Sequence, residues 1–166
     1  MIRRAQERDI DGVIKLLYQV NQVHADGRPD LFKSGGIKYT AEDLKTIFAD
    51  DERPVYVYTS DDEQEEVRGY AFCVFQYTDE TTSLIGHKSL FIDDICVDST
   101  HRRENIGRKL YEYVTEVAKA EKCYNITLHV WECNPGAAEF YKRLGMKPLN
   151  TTMEQLLQGI SVKNKC

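Results

Sequence analysis

At 166 residues, with 42% hydrophobic and 30% charged side chains, the chain has the size and mix of one globular domain and lacks the signature of disorder. Twenty-two Lys and Arg against 27 Asp and Glu leave a net charge of -5, which argues against a general nucleic-acid or anionic-membrane surface. No apolar run approaches the roughly 20 residues of a membrane span.

The start, Met1-Ile2-Arg3-Arg4-Ala5-Gln6-Glu7, has no apolar stretch of the signal-peptide kind, so the expectation is a cytoplasmic protein. Cys73, Cys96, Cys123, Cys133 and Cys166 are odd in number and have no CxxC spacing. Reduced thiols and no metal site are expected. Cys166 is the last residue read, and no prenylation box is expected after it.

In chain order, Ile2 to Ala5 reads as a short strand. Asp9 caps a helix through about Asn21, whose Ile10, Val13, Ile14, Leu17 and Val20 share one face. Val23 to Gly36, with Gly27, Pro29, Gly35 and Gly36, reads as a loop. Thr40-Ala41-Glu42-Asp43 resembles a capping box with Asp in its last place, opening a short helix with Leu44, Ile47 and Phe48 inward. Strands follow at 55–59, 69–78 and 89–97, with an acidic turn at 60–66 and a polar hairpin connection at 79–88. From Gly107 the period becomes helical, with Ile106, Leu110, Tyr113, Val114, Val117 and Ala118 in one stripe. Ile126 to Val130 is a strand. Asn134-Pro135-Gly136 breaks it, and a helix from Ala137 to Leu144 ends at the C-cap Gly145. Thr152 to Leu157 reads as a last strand. The expected organisation is one α/β (α+β) domain over 1–157 and a frayed tail over 158–166. Its sheet is mostly antiparallel and flanked by helices, with a β-α-β crossover late in the chain.

The stretch richest in chemistry is Val97 to Leu110. A strand ends, a polar basic loop follows, and a helix starts with Gly107 in its first turn. Helix N-termini present unpaired N–H groups and a positive dipole end. Arg102, Arg103 and Arg108 add charge, so a pyrophosphate site fits. A solvated basic loop capping a helix fits equally well. The Walker pattern is absent, and so is the three-glycine dinucleotide pattern.

Arg102-Arg103-Glu104-Asn105-Ile106-Gly107 resembles the [QR]xxGx[GA] loop of the GNAT acetyltransferase superfamily. The context is also similar: Phe91 to Val97 as the central strand, Leu128 to Asn134 and Ala137 to Tyr141 as a second cofactor segment, then Leu144-Gly145. The resemblance covers nearly the whole chain. It implies a GNAT-type sheet and transfer of an acetyl group from acetyl-CoA to a primary amine of a small molecule or peptide, by direct attack in a ternary complex. A non-catalytic acyl-CoA sensor is the alternative. Asn105 stands where the family usually has its first Gly; Asn is the non-Gly residue that best tolerates a left-handed backbone.

The resemblance implies cofactor contacts along Ile95, Cys96 and Val97, along Arg102, Arg103, Glu104, Asn105, Ile106, Gly107 and Arg108, and at Asn134, Ala137, Phe140 and Tyr141. Tyr141 matches the tyrosine that protonates the CoA thiolate, with a packed aromatic as the other reading. Asn134 also reads as a helix cap. The acid near the acceptor amine is Asp93 or Asp94, with a slight preference for Asp93. Adjacent on a strand, they are expected to face opposite sides, so that only one reaches a given site. Asp94 has the further reading of an ion pair with the basic loop, and Glu80 that of a solvated charge. Cys96 as a nucleophile would imply a ping-pong route. His24, Arg28 and Asp30 lie in the region that covers the acceptor in the family; Pro29 and Asp30 also read as a simple turn. His129 and Trp131 are read as sharing one strand face and walling core or substrate. The implied partner is an amine acceptor, with no nucleic acid, membrane or metal. Final strands in such folds pair, which allows a homodimer.

Overall fold

Five strands and four helices account for the regular structure of residues 1–157, which the computed structural model describes; the tail expected at 158–166 lies outside the described residues. The strands are β1 (Ile2–Arg4), β2 (Val55–Thr59), β3 (Val67–Thr78), β4 (His87–Val97) and β5 (Asn125–Leu128). The helices are α1 (Ile10–Gly27), α2 (Ala41–Phe48), α3 (Ile106–Ala120) and α4 (Pro135–Arg143). The strands lie side by side in sequence order. Each neighbouring pair is antiparallel except β4 and β5, which α3 joins by a parallel crossover. This is the mixed, mostly antiparallel sheet that the element order led one to expect.

Two compact units divide the described chain: Met1–Val20 with Ile37–His129, and Asn21–Gly36 with the described residues from Val130 on. In the first unit the alternation of β2 and β3 feeds two cores. Val55, Val57, Tyr70 and Phe72 pack with Leu16 and Leu17 of α1 and Leu44 and Ile47 of α2. Tyr56, Ala71 and Cys73 pack on the other face with Ile106, Leu110 and Val114 of α3. Gly69 lets α3 approach: a Cβ there would meet the Cys96 carbonyl oxygen at 3.0 Å and side-chain carbons of Ile106 and Leu110 at 3.1 Å.

Two local rules set the helix starts. Thr40 and Asp43 form the expected capping box of α2. Asp9 acts from inside a 3-10 turn, Glu7–Asp9, that leads into α1; its carboxylate accepts from the Gln6 N–H at 2.8 Å. Asp9 is buried, and the Arg3 guanidinium holds both its oxygens at 2.7 and 2.9 Å.

Two expectations need correction. Helix α1 runs through Gly27 instead of stopping near Asn21, because Val23 to Asp26 contains no breaker and Ala25 is buried. Thr152 to Leu157 is not a strand: it has no ladder partner among the described residues, and Met153, Leu156 and Leu157 are exposed. Among the described residues no helix is long and apolar enough to cross a membrane.

Candidate functional site

Strand β4 does not keep one period along its length. Asp94 pairs with Phe72 but Ile92 pairs with Cys73, so Asp93 is an extra residue in the ladder. A bulge of this kind reverses which residues face which side. Leu90 and Ile92 before it, and Ile95 and Val97 after it, pack with α3. Asp93, Asp94 and Cys96 therefore all fall on the α1 and α2 side, where Cys96 joins that core. The expectation that Asp93 and Asp94 face opposite sides is overturned, because strict alternation holds only in an unbulged strand.

Each acid is held by a tyrosine. Lys38 Nζ donates to Asp93 Oδ1 and Oδ2 at 2.7 and 2.6 Å, and the Tyr39 hydroxyl donates to Oδ2 at 3.0 Å. The hydroxyl of fully buried Tyr70 donates to Asp94 Oδ2 at 2.6 Å. Phe72 lies between the two tyrosines, stacked with Tyr39 at 5.5 Å and edge-on to Tyr70 at 4.9 Å between ring centroids. Lys38, Tyr39 and Tyr70 give no sequence signal of a site. Tyr70 sits where strand alternation asks for a core residue, and Lys38 and Tyr39 merely precede a cap.

Burial pushes the Asp94 carboxyl up to about 6, although the Tyr70 hydrogen bond and the Lys38 charge favour its ionised form. Burial acts against the Lys38 ammonium, but Asp93 outweighs it and holds the group above its usual range. Burial and then the Asp94 charge raise the Tyr70 hydroxyl well above its ordinary range, so it stays a donor. Burial also pushes the Cys96 thiol up to about 12, which leaves no thiolate for a ping-pong route. Asp94 does not pair with the basic loop, and Glu80 is exposed.

Beyond the bulge, β4 has an open edge. Strand β5 pairs with it only from Ser89 to Ile92, so among the described residues no strand lies beside Asp93 to Val97 on that side. The chain then turns through Asp98. That carboxylate is buried, accepts from the Thr100 N–H at 2.9 Å and hydroxyl at 2.7 Å, and pairs with Lys15 at 2.9 Å. Burial opposes its charge, yet these donors hold it well below the usual carboxylate range.

The loop that follows combines a left-handed backbone with an uncapped helix start. Arg103 and Asn105 both have positive φ, 71° and 60°, and Asn105 enters α3 in the left-handed region without using its side chain as a cap. The first-turn N–H groups of α3 are thus left uncapped by Asn105. Ile106 is buried and anchors the turn, and Gly107 follows it. Arg102 and Arg103 are exposed and have no side-chain partner among the described residues. His101 and Glu104 meet at 3.1 Å, and Arg108 pairs with Glu112 at 2.7 Å. Successive amides in a left-handed turn, a helix dipole and two uncommitted guanidiniums suit a pyrophosphate.

Asn105 tests this turn. Asn105→Gly is expected to keep or tighten acetyl-CoA binding. Asn105→Val, β-branched at φ 60°, is expected to weaken it by about 1–2 kcal/mol in a titration.

The second unit has its own constellation. Phe32 packs against His24 at 5.0 Å and Trp131 at 5.2 Å between ring centroids. Arg28 binds Asp30 at 2.9 and 2.7 Å and Glu154 at 2.9 and 3.0 Å, so Arg28 and Asp30 meet each other. Asn134 Oδ1 accepts from the Ala137 N–H at 3.2 Å and caps α4. Phe140 and Tyr141 are partly buried and 5.1 Å apart. Gly145, at φ 91°, closes the helix as expected. The reading of His129 and Trp131 as neighbours on one strand face is corrected, since β5 ends at Leu128. His129 instead packs on Phe91 in the first unit at 5.1 Å.

The comparisons with known proteins agree with this architecture. Over 159 residues the chain is 28% identical to the thialysine N-epsilon-acetyltransferase of Bos taurus, covering 90% of this chain and 85% of that protein. A mutant of the BH1408 protein from Bacillus halodurans superposes with a TM-score of 0.89 at 30% identity, over 95% of this chain and 99% of that one. An aminoglycoside N-acetyltransferase solved in complex with CoA has a TM-score of 0.68 over 95% of this chain and 99% of its own; at 14% identity it speaks for the fold alone. Residues 18–146 match the model of the Acetyltransferase (GNAT) family. With the bulged central strand, its open edge and the left-handed turn into α3 in place, the chain belongs to the GNAT family of acetyltransferases.

Proposed function

We propose that this acetyltransferase moves the acetyl group of acetyl-CoA to a primary amine of a small molecule or peptide, by direct attack in a ternary complex. One observation carries the reading. A single strand, β4, leads from a pair of carboxylates, past an open edge, to a turn built for an anion.

The residues suited to the donor are the amides of the turn from Arg102 to Arg108 and the backbone of Ile95, Cys96 and Val97 along the open edge. Asn134, Ala137, Phe140 and Tyr141 are assigned to it by family resemblance. Bound acetyl-CoA supplies an activated thioester carbonyl. An alkyl ammonium has a pKa near roughly 10, so the acceptor must lose a proton before it attacks. Asp94 is suited to take it, because its carboxyl is raised to about 6 and is ionised at neutral pH. This shifts the slight sequence preference from Asp93 to Asp94: Asp93 is already neutralised by Lys38. Backbone N–H groups of the β4 edge are suited to steady the developing oxyanion. Tyr141 is the proposed proton donor to the leaving thiolate. Proximity supplies much of the remaining acceleration. The relationship to a thialysine acetyltransferase supports a small amine as acceptor. Asn105 takes the left-handed conformation, so the loop keeps a shape that an enzyme and an acyl-CoA sensor would both need, and amine-dependent thiol release separates the two.

Thiol release with a panel of diamines, amino acids and peptides tests the reading. One class is expected to give saturable turnover, and Tyr141→Phe to lower it with acetyl-CoA binding nearly unchanged. Release that no amine accelerates would contradict it.

Tyr70 offers a sharper check, as a positioning residue. Its hydrogen bond stabilises the Asp94 carboxylate, so Tyr70→Phe raises that carboxyl further. The acid limb of kcat/KM against pH is expected to move to higher pH. A purely structural role for Tyr70 would leave the limb in place.

A further inference from the structure

The acid pair assigned above to the acceptor already holds a primary amine, and it is the chain's own. We propose that Lys38 is an acceptor within its own molecule: with no free amine present, its Nζ takes an acetyl group from acetyl-CoA, and this modification releases Asp93 for incoming cationic acceptors. The inference rests on the function proposed above, and its test separates the two.

Three observations carry it. Lys38 Nζ touches both oxygens of Asp93, at 2.7 and 2.6 Å, and the neighbouring Asp94 faces the same side. An acceptor ammonium drawn to this pair meets the same carboxylates. The other ion-paired lysines of the described residues sit on Asp98 and Glu66, Glu42, Glu121, Glu116 and Glu139, away from the pair. The Lys38 side chain also keeps 48% of its surface, so it is neither sealed from a donor nor locked in the core. The β4 edge proposed for the acetyl group begins two residues on, roughly 7 Å along the strand, within the sweep of a lysine side chain.

The chemistry is the same as for a free acceptor. The Lys38 ammonium gives one proton to Asp94, which passes it to solvent. The neutral nitrogen forms the N–C bond to the thioester carbonyl. The C–S bond breaks as the tetrahedral carbon collapses. The second nitrogen proton ends on the departing thiolate, giving CoA as the thiol; nothing is oxidised or reduced. Acetyl-Lys38 has no charge and cannot pair with Asp93. The acid pair then loses its resident cation, and a cationic acceptor binds it without competition.

The test is to incubate the full chain with acetyl-CoA and no amine, then measure intact mass and map the acetylated peptide. Parallel samples of the same protein are assayed with the amine panel. The expected result is one acetyl group per chain, on Lys38, at a rate that does not change when the protein is diluted. Lys38→Arg is expected to take up none. Asp94→Asn is expected to slow uptake roughly 100-fold or more. Protein acetylated at Lys38 is expected to show a lower KM for a cationic acceptor. Acetylation scattered evenly over the exposed lysines, or none at Lys38 in protein that turns over free amines, overturns the proposal and leaves the proposed function standing. Protein that neither binds acetyl-CoA nor turns over any amine overturns both.

Discussion

Asp94→Asn is expected to lower kcat/KM roughly 10²–10⁴-fold, the usual worth of a positioned general base, while acetyl-CoA binding stays close to that of the parent. The substitution keeps the shape of the side chain and an oxygen to accept from Tyr70 Oη, but it removes the group proposed to take the proton. In the parent, kcat/KM should rise with pH through about 6 as Asp94 ionises. In the variant that limb should vanish.

Stability should move the other way. The folded carboxyl titrates at about 6, above the roughly 3.9 of an unfolded aspartate. The native state binds more protons than the unfolded state between these values. Asp94 therefore contributes stability below about pH 4, and that contribution is lost as pH rises through about 6. At neutral pH the burial of its charge is a net cost that Asn does not carry. Asp94→Asn is thus expected to unfold at the same urea concentration as the parent or a higher one at pH 7. The gain should disappear in acid. A variant both inactive and destabilised at pH 7 would mean that Asp94 is a structural acid only.

Arg3→Met is the second large effect, expected to cost about 3–5 kcal/mol of stability in urea unfolding. Asp9 is 3% exposed, and Arg3 donates to both its oxygens from the first strand. Arg3 also reaches Glu65 at 2.8 Å, which ties β1 and the entry to α1 to the turn before β3. Removing the guanidinium strands a buried carboxylate with the Gln6 N–H as its remaining partner in this group. Removing both charges, as in Arg3→Met with Asp9→Leu, should recover most of the loss, since a buried pair is worth far less than the cost of breaking it from one side. A double variant as unstable as the single one would show that packing of the Arg3 stem dominates.

Much of the fold was legible because it rests on local rules. The stripe Ile106, Leu110 and Val114 gave α3, the run 55–59 gave β2 with its bounds, and Gly145 gave the end of α4. Asn105 was legible as the residue that tolerates a left-handed turn, and it adopts one. What stayed hidden was set by pairing. The bulge at Asp93 arises from the register against Phe72 and Cys73, which no feature of residues 89–97 announces. It turned two acids onto one face and brought Lys38, some 55 residues upstream, onto them. The apolar residues of 152–157 suggested a strand, but a strand needs a neighbour, and the described residues provide none. Helix α1 outruns its expected end because the breakers of the segment Val23 to Gly36 begin only at Gly27, and nothing from Val23 to Asp26 stops a helix.

The most direct test of the central claim is calorimetric titration of the protein with acetyl-CoA, beside desulfo-CoA and free phosphate. Saturable micromolar binding of acetyl-CoA is expected, retained in large part by desulfo-CoA and far weaker for phosphate, and weakened by Asn105→Val. Absence of acetyl-CoA binding up to millimolar concentration would contradict it, and the turn from Arg102 to Gly107 would then be only the entry to a helix.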